Sequence, residues 1–389
     1  MAEGGGGLGT KYDVGMGLAE RERTCTLTHP KWGPALSRRD YLLRENYLTT
    51  VPLARDGGIT HWILTVAGLP AGERPILSSC ESLRKRAVYC DGGKVVEGVA
   101  HGIGSVFTEE GYRGRGYASR MMREVAGRLR GWQAGRGVVG GEGDEDGVAR
   151  GRVLFSVLYS DIGKSFYAKH GWEPFESCHV AFEPAAGKTE GGGIARPIGY
   201  HELAELCAVD ERLLRAELSR GGGGRGRKKT RVAVLPELDA LLWHLMREDY
   251  MTKCIFGKTP TVRGAVAGEP GRRVWAVWMR GYYGGLNKDE GNTLHVLRVV
   301  VEDAEQADEE LVDGFRSIVQ MAQGEAAEWK TQDVQVWNPT AKVRGLMDKC
   351  GIEFEVVERD VQSIASLMWY GEGSTDEVEW VANEKYAWC

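Results

Sequence analysis

A chain of 389 residues is long enough for two domains, and 42% hydrophobic with 27% charged residues is too apolar for a disordered polymer. Its 50 basic and 55 acidic side chains leave a net charge of −5, which excludes a broad electrostatic grip on nucleic acid or anionic membrane. No run approaches the roughly eighteen apolar residues of a membrane span, and the glycine-rich opening lacks the basic flank and apolar core of a signal peptide. A soluble cytoplasmic protein is therefore expected.

In chain order, residues 1–20 read as a flexible tail with glycines at 4–7. Residues 37–48 carry apolar side chains at helical spacing, and 61–66 and 75–89 have the β-branched and aromatic content of strands. A further strand at 99–108 stops at Glu109, Glu110 and Gly111; residues 116–129 then put Met121, Met122, Val125 and Leu129 on one helical face. The stretch 131–151, with Glu142, Asp144, Glu145 and Asp146, reads as an acidic insertion. An apolar strand at 153–159, a short helix at 161–170 and two strands within 172–182 follow. Helices and strands alternate, which predicts an α/β fold: a mixed sheet covered by helices.

Residues 186–231 read as a glycine-rich and basic linker with a helix. Its run of Arg225, Arg227, Lys228, Lys229 and Arg231 is read as a solvated loop, with a nuclear signal as the alternative. Beyond it, 238–256 is helical with Leu238, Leu241, Leu242 and Leu245 on one face. Strands at 261–267, 274–282 and 293–302 come next, then a helix at 308–330, a strand at 334–337, a helix at 340–350 and strands at 352–358 and 363–369. The same element order occurs twice, which predicts a structural duplication: a first domain at 21–185 and a second at 232–389.

The strongest local signal is the stretch from Val106, Phe107 and Thr108 through Arg113, Gly114, Arg115, Gly116, Tyr117 and Ala118, between a strand and a helix. Small residues at 114, 116 and 118 let a ligand approach the backbone, and the free N–H groups of a first helical turn favour an anion. A plain turn is the alternative. A Walker loop would need Gly-Lys-Ser or Gly-Lys-Thr, and a dinucleotide fingerprint would need a glycine where Ser119 stands; both fail.

Arg113 to Ala118 does fit Arg-x-x-Gly-x-Ala, which resembles the acetyl-coenzyme A loop of the GNAT acetyltransferases. Downstream, Tyr167 lies four residues before Gly171-Trp172, which resembles that family's second signature, with departures at Ser160 and Gly163 where Asn and Ala are commoner. The stretches Gly102 to Thr108 and Leu158 to Lys164, with the ending Tyr386-Ala387-Trp388-Cys389, are similar to the fungal L-lysine N6-acetyltransferase family over the whole chain. The resemblance implies a GNAT-like first domain and a second, degenerate GNAT-like domain. It also implies acetyl-CoA as cosubstrate, bound by 106–108, 113–118, Ser160 and Gly163, and a small amine acceptor, L-lysine, in lysine catabolism.

An amine with a pKa near 10.4 must lose a proton before it attacks a thioester. His101 is the candidate base, because an unperturbed histidine titrates at about 6.5; a structural strand histidine is the alternative, and Glu81 and Glu97 are rivals. Backbone N–H groups near Ser105 or Val106 would meet the oxyanion. The resemblance assigns Tyr167 to protonate the leaving thiolate, a role that helix packing could replace.

The second half has no equivalent loop: Glu302, Asp303 and Glu305 make an acidic turn that repels a pyrophosphate. That half is expected to complete the acceptor pocket. Trp243, His244, Glu248, Asp249, Tyr250 and the Asn338-Pro339 pair are read as structural, and the carboxylate of Cys389 as a base only if the tail folds back. Eight cysteines without a Cys-x-x-Cys pair predict neither a disulfide framework nor a metal site. A protein-lysine or other small-amine acetyltransferase, and a non-catalytic acetyl-CoA sensor or scaffold, are the alternative functions; the oligomeric state is left open.

Overall fold

The computed structural model describes residues 10–11, 18–135, 151–185, 193–220, 229–285 and 291–388. The glycines at 4–7, most of the acidic insertion, Arg225 to Lys228 of the basic run and Cys389 lie outside the described residues.

The first half runs β1 (Thr10–Lys11), α1 (Leu18–Trp32), α2 (Arg38–Leu48), β2 (Ile59–Leu64), β3 (Ser78–Asp91), β4 (Lys94–Phe107), α3 (Tyr117–Leu129), β5 (Val153–Ser160), α4 (Ser165–Ala168), β6 (Glu173–Pro174) and β7 (Cys178–Phe182). The middle of the chain adds β8 (Arg196–Ile198), α5 (Leu203–Ser219) and β9 (Thr230–Val234). The second half runs α6 (Leu238–Phe256), β10 (Gly264–Ala267), β11 (Val274–Tyr282), β12 (Asn292–Val301), α7 (Asp308–Glu328), β13 (Asp333–Trp337), α8 (Ala341–Lys349), β14 (Glu355–Glu358), β15 (Ile364–Trp369) and β16 (Val378–Trp380).

Local chemistry accounts for several boundaries. Ser37 caps α2 by accepting from the Asp40 amide at 3.1 Å, and Thr340 caps α8 by accepting from Val343 at 3.3 Å. β5, β11 and β15 are nearly continuous apolar runs and lie buried on both faces, as central strands of a covered sheet must.

These strands build two mixed sheets that exchange strands. One follows the order β1-β2-β3-β4-β5-β15-β6, with β9 on the far end of β3 and β16 beside β9; the other follows β14-β7-β13-β12-β11-β10-β8. In each half a parallel pair (β4 with β5, β12 with β13) is followed by a short helix and two strands. One late strand of each half crosses to the other half's sheet: β15 pairs with β5 and β6, β7 with β13 and β14. The repeat is visible as a duplicated α/β layout; the two strands within 172–182 do not pair with each other, nor do the two within 352–369.

The expected division is corrected accordingly. Residues 186–231 are no mere linker, since β8 and β9 join the two sheets and α5 packs between them. The cut between 21–185 and 232–389 does not separate the sheets. Nor is 1–20 wholly tail: α1 begins at Leu18, and Glu20 is buried with Arg74 donating to it at 2.7 and 2.9 Å. Sequence periodicity reports which residues are apolar, not which sheet they enter, so a strand exchange leaves no local trace.

Three apolar layers hold the halves together. Met121, Met122, Val125 and Leu129 of α3 pack on Leu77, Ile103, Leu158 and Trp172. Between the sheets, Leu203 and Leu206 of α5 and Leu241 and Leu245 of α6 meet Phe155, Val157, Trp275 and Leu297. On the outer face of the second sheet, Leu311, Phe315, Ile318 and Leu346 cover Ala276, Val299 and Val334. Each such side chain, fully buried, contributes about 1.5–3 kcal/mol, so the shared middle layer makes independent folding of either half unfavourable.

Candidate active site

The parallel pairing of β4 and β5 runs from Val99 opposite Val153 to Ile103 opposite Leu158 and then stops. At that point β4 bulges: Gly104 pairs with Glu81 and Phe107 with Ser79, so two residues of β4 answer one of β3. Ser105 takes a left-handed conformation, φ 53°, to make this turn. The strands diverge, and a cleft of about 440 Å³ opens between Gly104 to Thr108 on one side and Leu158, Tyr159, Asp161 and Ile162 on the other.

At the mouth of this cleft stands the loop into α3. Arg113 and Ala118 line the cavity; Gly114, Arg115, Gly116 and Tyr117 make the turn between them. Gly114 and Gly116 have φ of 74° and 77°, and a Cβ added at either would meet nothing within 4 Å, so the positions are demanded by conformation and face open space. Arg113 donates to the Thr108 carbonyl at 3.1 Å, and Arg115 lies over the Tyr112 ring, which ties the loop back on itself. No acid occupies the first turn of α3. The N–H groups there have no carbonyl inside the helix, and with the dipole they favour an anion.

Val106, Phe107 and Thr108 line the cleft, while Ser160 and Gly163 do not. The Ser160 hydroxyl donates to the Gly163 carbonyl at 2.7 Å and accepts from the Ile162 amide at 3.2 Å, so it is spent on the turn after β5. Gly163 donates to Val361 at 2.9 Å.

Tyr167 reaches the cleft from α4 and is 8% exposed. Burial first, then the neighbouring Cys80 and Asp161, raises its phenol above the ordinary tyrosine range, so it holds its proton at neutral pH. Phe166 packs edge-on against it, ring centroids 5.0 Å apart.

His101 lies elsewhere. It points into the core beneath α3, has no exposed surface, and bonds the Trp132 carbonyl through Nε2 at 3.0 Å. Burial pushes its pKa down to about 4, and it lines neither the cleft nor the pocket that adjoins it. His101 lies on the part of β4 still paired with β5, before the strands separate beyond Ile103, and spacing alone does not say where along the strand the cleft opens. Glu97 is also remote, tied to Arg86 and Arg215.

Glu81 is placed differently. It lines a second, enclosed pocket of about 60 Å³ with Trp32, Tyr41, Arg44, Glu45, Leu48, Ile59, His61, Ser105, Trp243, Arg247, Tyr283 and Trp388. Ser105, Trp32 and Trp388 line both cavities, so the two adjoin at the bulge of β4. The Ser105 hydroxyl donates to Glu81 at 2.8 Å, and His61 Nδ1 lies 3.6 Å from its other oxygen. Burial, helped by Glu45, pushes the Glu81 carboxyl up to about 7; burial also holds His61 down at about 4, hence neutral. A carboxyl titrating near neutrality beside a cleft is suited to accepting a proton.

The C-terminal segment sets the wall between the cavities. Lys85 donates to the carbonyls of Ala387 and Trp388 at 2.8 and 2.9 Å, and the Tyr386 hydroxyl donates to Val234 at 2.7 Å. Arg298 holds Asp210 and Glu384. The ending noted in the sequence is thus the partition that carries Trp388.

Of the second-half residues read as structural, Trp243 lines the pocket, His244 bonds the Tyr386 carbonyl at 3.1 Å, and Glu248 binds Arg263 and Arg280 at 2.6 and 2.8 Å. Asp249 accepts from Tyr200 at 2.7 Å, Tyr250 stacks on Tyr47, and Asn338 bonds Cys178 and Asn383 across the strand exchange. Arg247 and Tyr283 had not been singled out: one is a lone arginine on a helix, the other one of two adjacent tyrosines, with no motif around them. Among the described residues no helix is long and apolar enough to cross a membrane, and no group of three His, Cys, Asp or Glu is placed to hold a metal ion.

A family model, the LYC1 GNAT-like C-terminal domain, matches residues 179–389. Over 407 residues, 94% of this chain and 96% of its relative, the sequence is 23% identical to a Yarrowia lipolytica protein named lysine acetyltransferase. The uncharacterized protein YGR111W of Saccharomyces cerevisiae is 31% identical over 132 residues, 32% of this chain and 29% of that one. The crystal structure of a conserved protein of Enterococcus faecalis V583 superposes with a TM-score of 0.50 at 12% identity, covering 92% of this chain and 71% of the other, which shows a shared fold.

Proposed function

The chain belongs to the LYC1-like GNAT acetyltransferases, and from that membership we propose that it moves acetyl from acetyl-CoA to the ε-amine of free L-lysine. The observation that carries the acceptor is the adjoining pair of cavities. An open cleft beside an anion-favouring helix start meets an enclosed pocket of about 60 Å³ walled by both halves. So narrow a pocket, opening on the cleft, suits one flexible aliphatic amine and does not suit the backbone of a bound peptide. The distant relative named lysine acetyltransferase supports the same acceptor, and lysine catabolism is the setting that such a product implies.

In this reading the pyrophosphate of acetyl-CoA lies on the amides of residues 113–118, and the pantetheine arm runs between the splayed strands toward Ser105. The ε-ammonium gives a proton to Glu81. The free amine attacks the thioester carbonyl, a backbone N–H near Ser105 or Val106 meets the oxyanion, and the carbon–sulfur bond breaks. Tyr167 protonates the departing thiolate, and the second proton lost by the acetylated nitrogen passes through solvent to restore the tyrosine. Glu81 takes the part first assigned to His101, because it lines the pocket and His101 does not. We further propose that 21–185 supplies the coenzyme cleft and that the second half completes the acceptor pocket.

The test is competition in one vessel between L-lysine and a peptide with internal lysine, read by mass spectrometry. Free lysine is expected to be acetylated in preference; preferential acetylation of the peptide would reject this acceptor and favour protein lysines.

A further inference from the structure

The enclosed pocket contains two carboxylates and two guanidiniums, and only one of each is spent. Arg44 donates to Glu45 through Nε and Nη2 at 2.9 and 2.6 Å. Glu81 accepts from the Ser105 hydroxyl and lies beside a neutral His61, with Glu45, Arg247 and Arg21 acting on it through space. Arg247, from α6, lies over the rings of Tyr283 at 5.4 Å and Trp388 at 5.5 Å, with no hydrogen bond or ion pair among the described residues.

Arg247 is half-buried, and it differs from most of the fully buried arginines of this half, of which Arg359 alone bonds carbonyls and no carboxylate. Arg263, Arg280, Arg273 and Arg298 each hold at least one carboxylate. Burial opposes the Arg247 charge, but Tyr283, Glu45, Tyr41 and Glu81 together favour it, and a guanidinium stays protonated in any case. A charged fork flanked by aromatic rings and facing a cavity is a carboxylate receptor awaiting its partner. The open acid and the open base thus match the two ends of a molecule with a free amine and a carboxylate.

We propose that Arg247 binds the α-carboxylate of the acceptor, so that the enzyme selects an amino acid with a free carboxyl group and rejects the same amine without one. This rests on the acetyl transfer proposed above and adds a residue that decides which amines are accepted. Tyr283 and Trp388 hold the guanidinium plane; Glu81 receives the opposite end of the substrate, next to Ser105 and the mouth of the cleft.

The experiment compares L-lysine with L-lysinamide, which keeps both amines and loses the negative charge, on the full chain and its Arg247→Gln and Arg247→Lys variants. With the unaltered protein, kcat/KM for lysine is expected to exceed that for lysinamide on the order of 10²-fold. Arg247→Gln should bring lysine down to the lysinamide level, chiefly through KM, and leave lysinamide within about twofold. Arg247→Lys should restore part of the difference, since an ammonium keeps the charge and loses the fork. Calorimetric acetyl-CoA affinity, unchanged in both variants, checks the fold.

Equal turnover of lysine and lysinamide by the unaltered protein would overturn the assignment while leaving acetyl transfer to lysine intact. An equal loss for both acceptors in Arg247→Gln would also overturn it, by showing a structural role. Turnover of neither acceptor by the unaltered protein would sink the lysine reading itself. Should Arg247→Gln lose acetyl-CoA binding, the comparison of the two acceptors on the unaltered protein and on Arg247→Lys decides.

Discussion

Two strand-to-helix junctions hold equivalent places in the two sheets and differ in chemistry. After β4 the chain enters α3 through Gly114 and Gly116, both left-handed, and the first turn carries no acid. After β12 it enters α7 with Asp308, Glu309 and Glu310 in the first turn, where Lys342 and Lys349 hold Asp308 at 2.8 Å each. Glu302 at the end of β12 is taken by Arg273 at 2.7 Å and by the Gly271 amide at 2.7 Å. Both helices offer a positive dipole end, but in α7 the chain's own carboxylates already occupy it. The fold supplies the position twice, and the first-turn residues decide that only one junction is left open to a ligand.

The severest way to break this contrast is to place a carboxylate where α3 lacks one. Gly116→Glu should abolish acetyl-CoA binding, since it adds bulk and negative charge at the anion site and strains a left-handed residue. Calorimetric titration showing unchanged affinity would return the loop to an ordinary turn. Chemistry at the open junction is probed next by Glu81→Gln, expected to lower kcat by roughly 10²–10⁴-fold with acetyl-CoA affinity retained.

In the unaltered enzyme kcat/KM should rise as pH passes through about 7, where Glu81 ionises. The sign for stability is opposite. The folded carboxyl binds its proton more tightly than the unfolded one, at 4.5, so stability falls as pH rises from 4.5 to about 7, and Glu81→Gln should remove that slope in denaturant titrations. A kcat/KM profile with no change near pH 7 would exclude Glu81 as the base.

Tyr167→Phe keeps the ring and loses the proton donor, and kcat is expected to fall by roughly 10²-fold at constant coenzyme affinity. Near-unaltered kcat, measured where chemistry limits turnover, would leave Tyr167 as packing beneath the cleft. The smallest effect on activity belongs to His101. His101→Asn removes a buried bond to Trp132 and should cost about 1–3 kcal/mol of stability, with kcat per folded molecule and its pH profile unchanged. A displaced pH profile in that variant would reinstate the histidine.

How far the sequence could be read follows from the range of each signal. The helix over Leu238–Phe256, the strand over Val274–Tyr282 and the open loop between Arg113 and Ala118 were all legible, because periodicity, β-branched content and glycine spacing are set by near neighbours along the chain. The Tyr167 signature was legible for the same reason. The acidic junction before α7 was too, and with it the expectation that the second half lacks a coenzyme loop.

Other features depend on partners far away in sequence, and only the tertiary structure decided them. β7 and β15 look like ordinary strands of their own halves, yet each completes the opposite sheet, because the open edge that accepts it is formed by residues more than a hundred positions away. From the sequence His101 was the candidate base and Glu81 a rival with no better claim. The bulge at Ser105 and the twist of β3 against β4 turn Glu81 to the pocket and leave His101 in the core. The pocket itself joins Trp32 and Glu81 to Arg247, Tyr283 and Trp388, the last held there by Lys85 bonding the Ala387 and Trp388 carbonyls. Local composition determines which elements form and where a phosphate can rest; long-range packing determines which side chains share a cavity, and so which base, which arginine and which acceptor the enzyme uses.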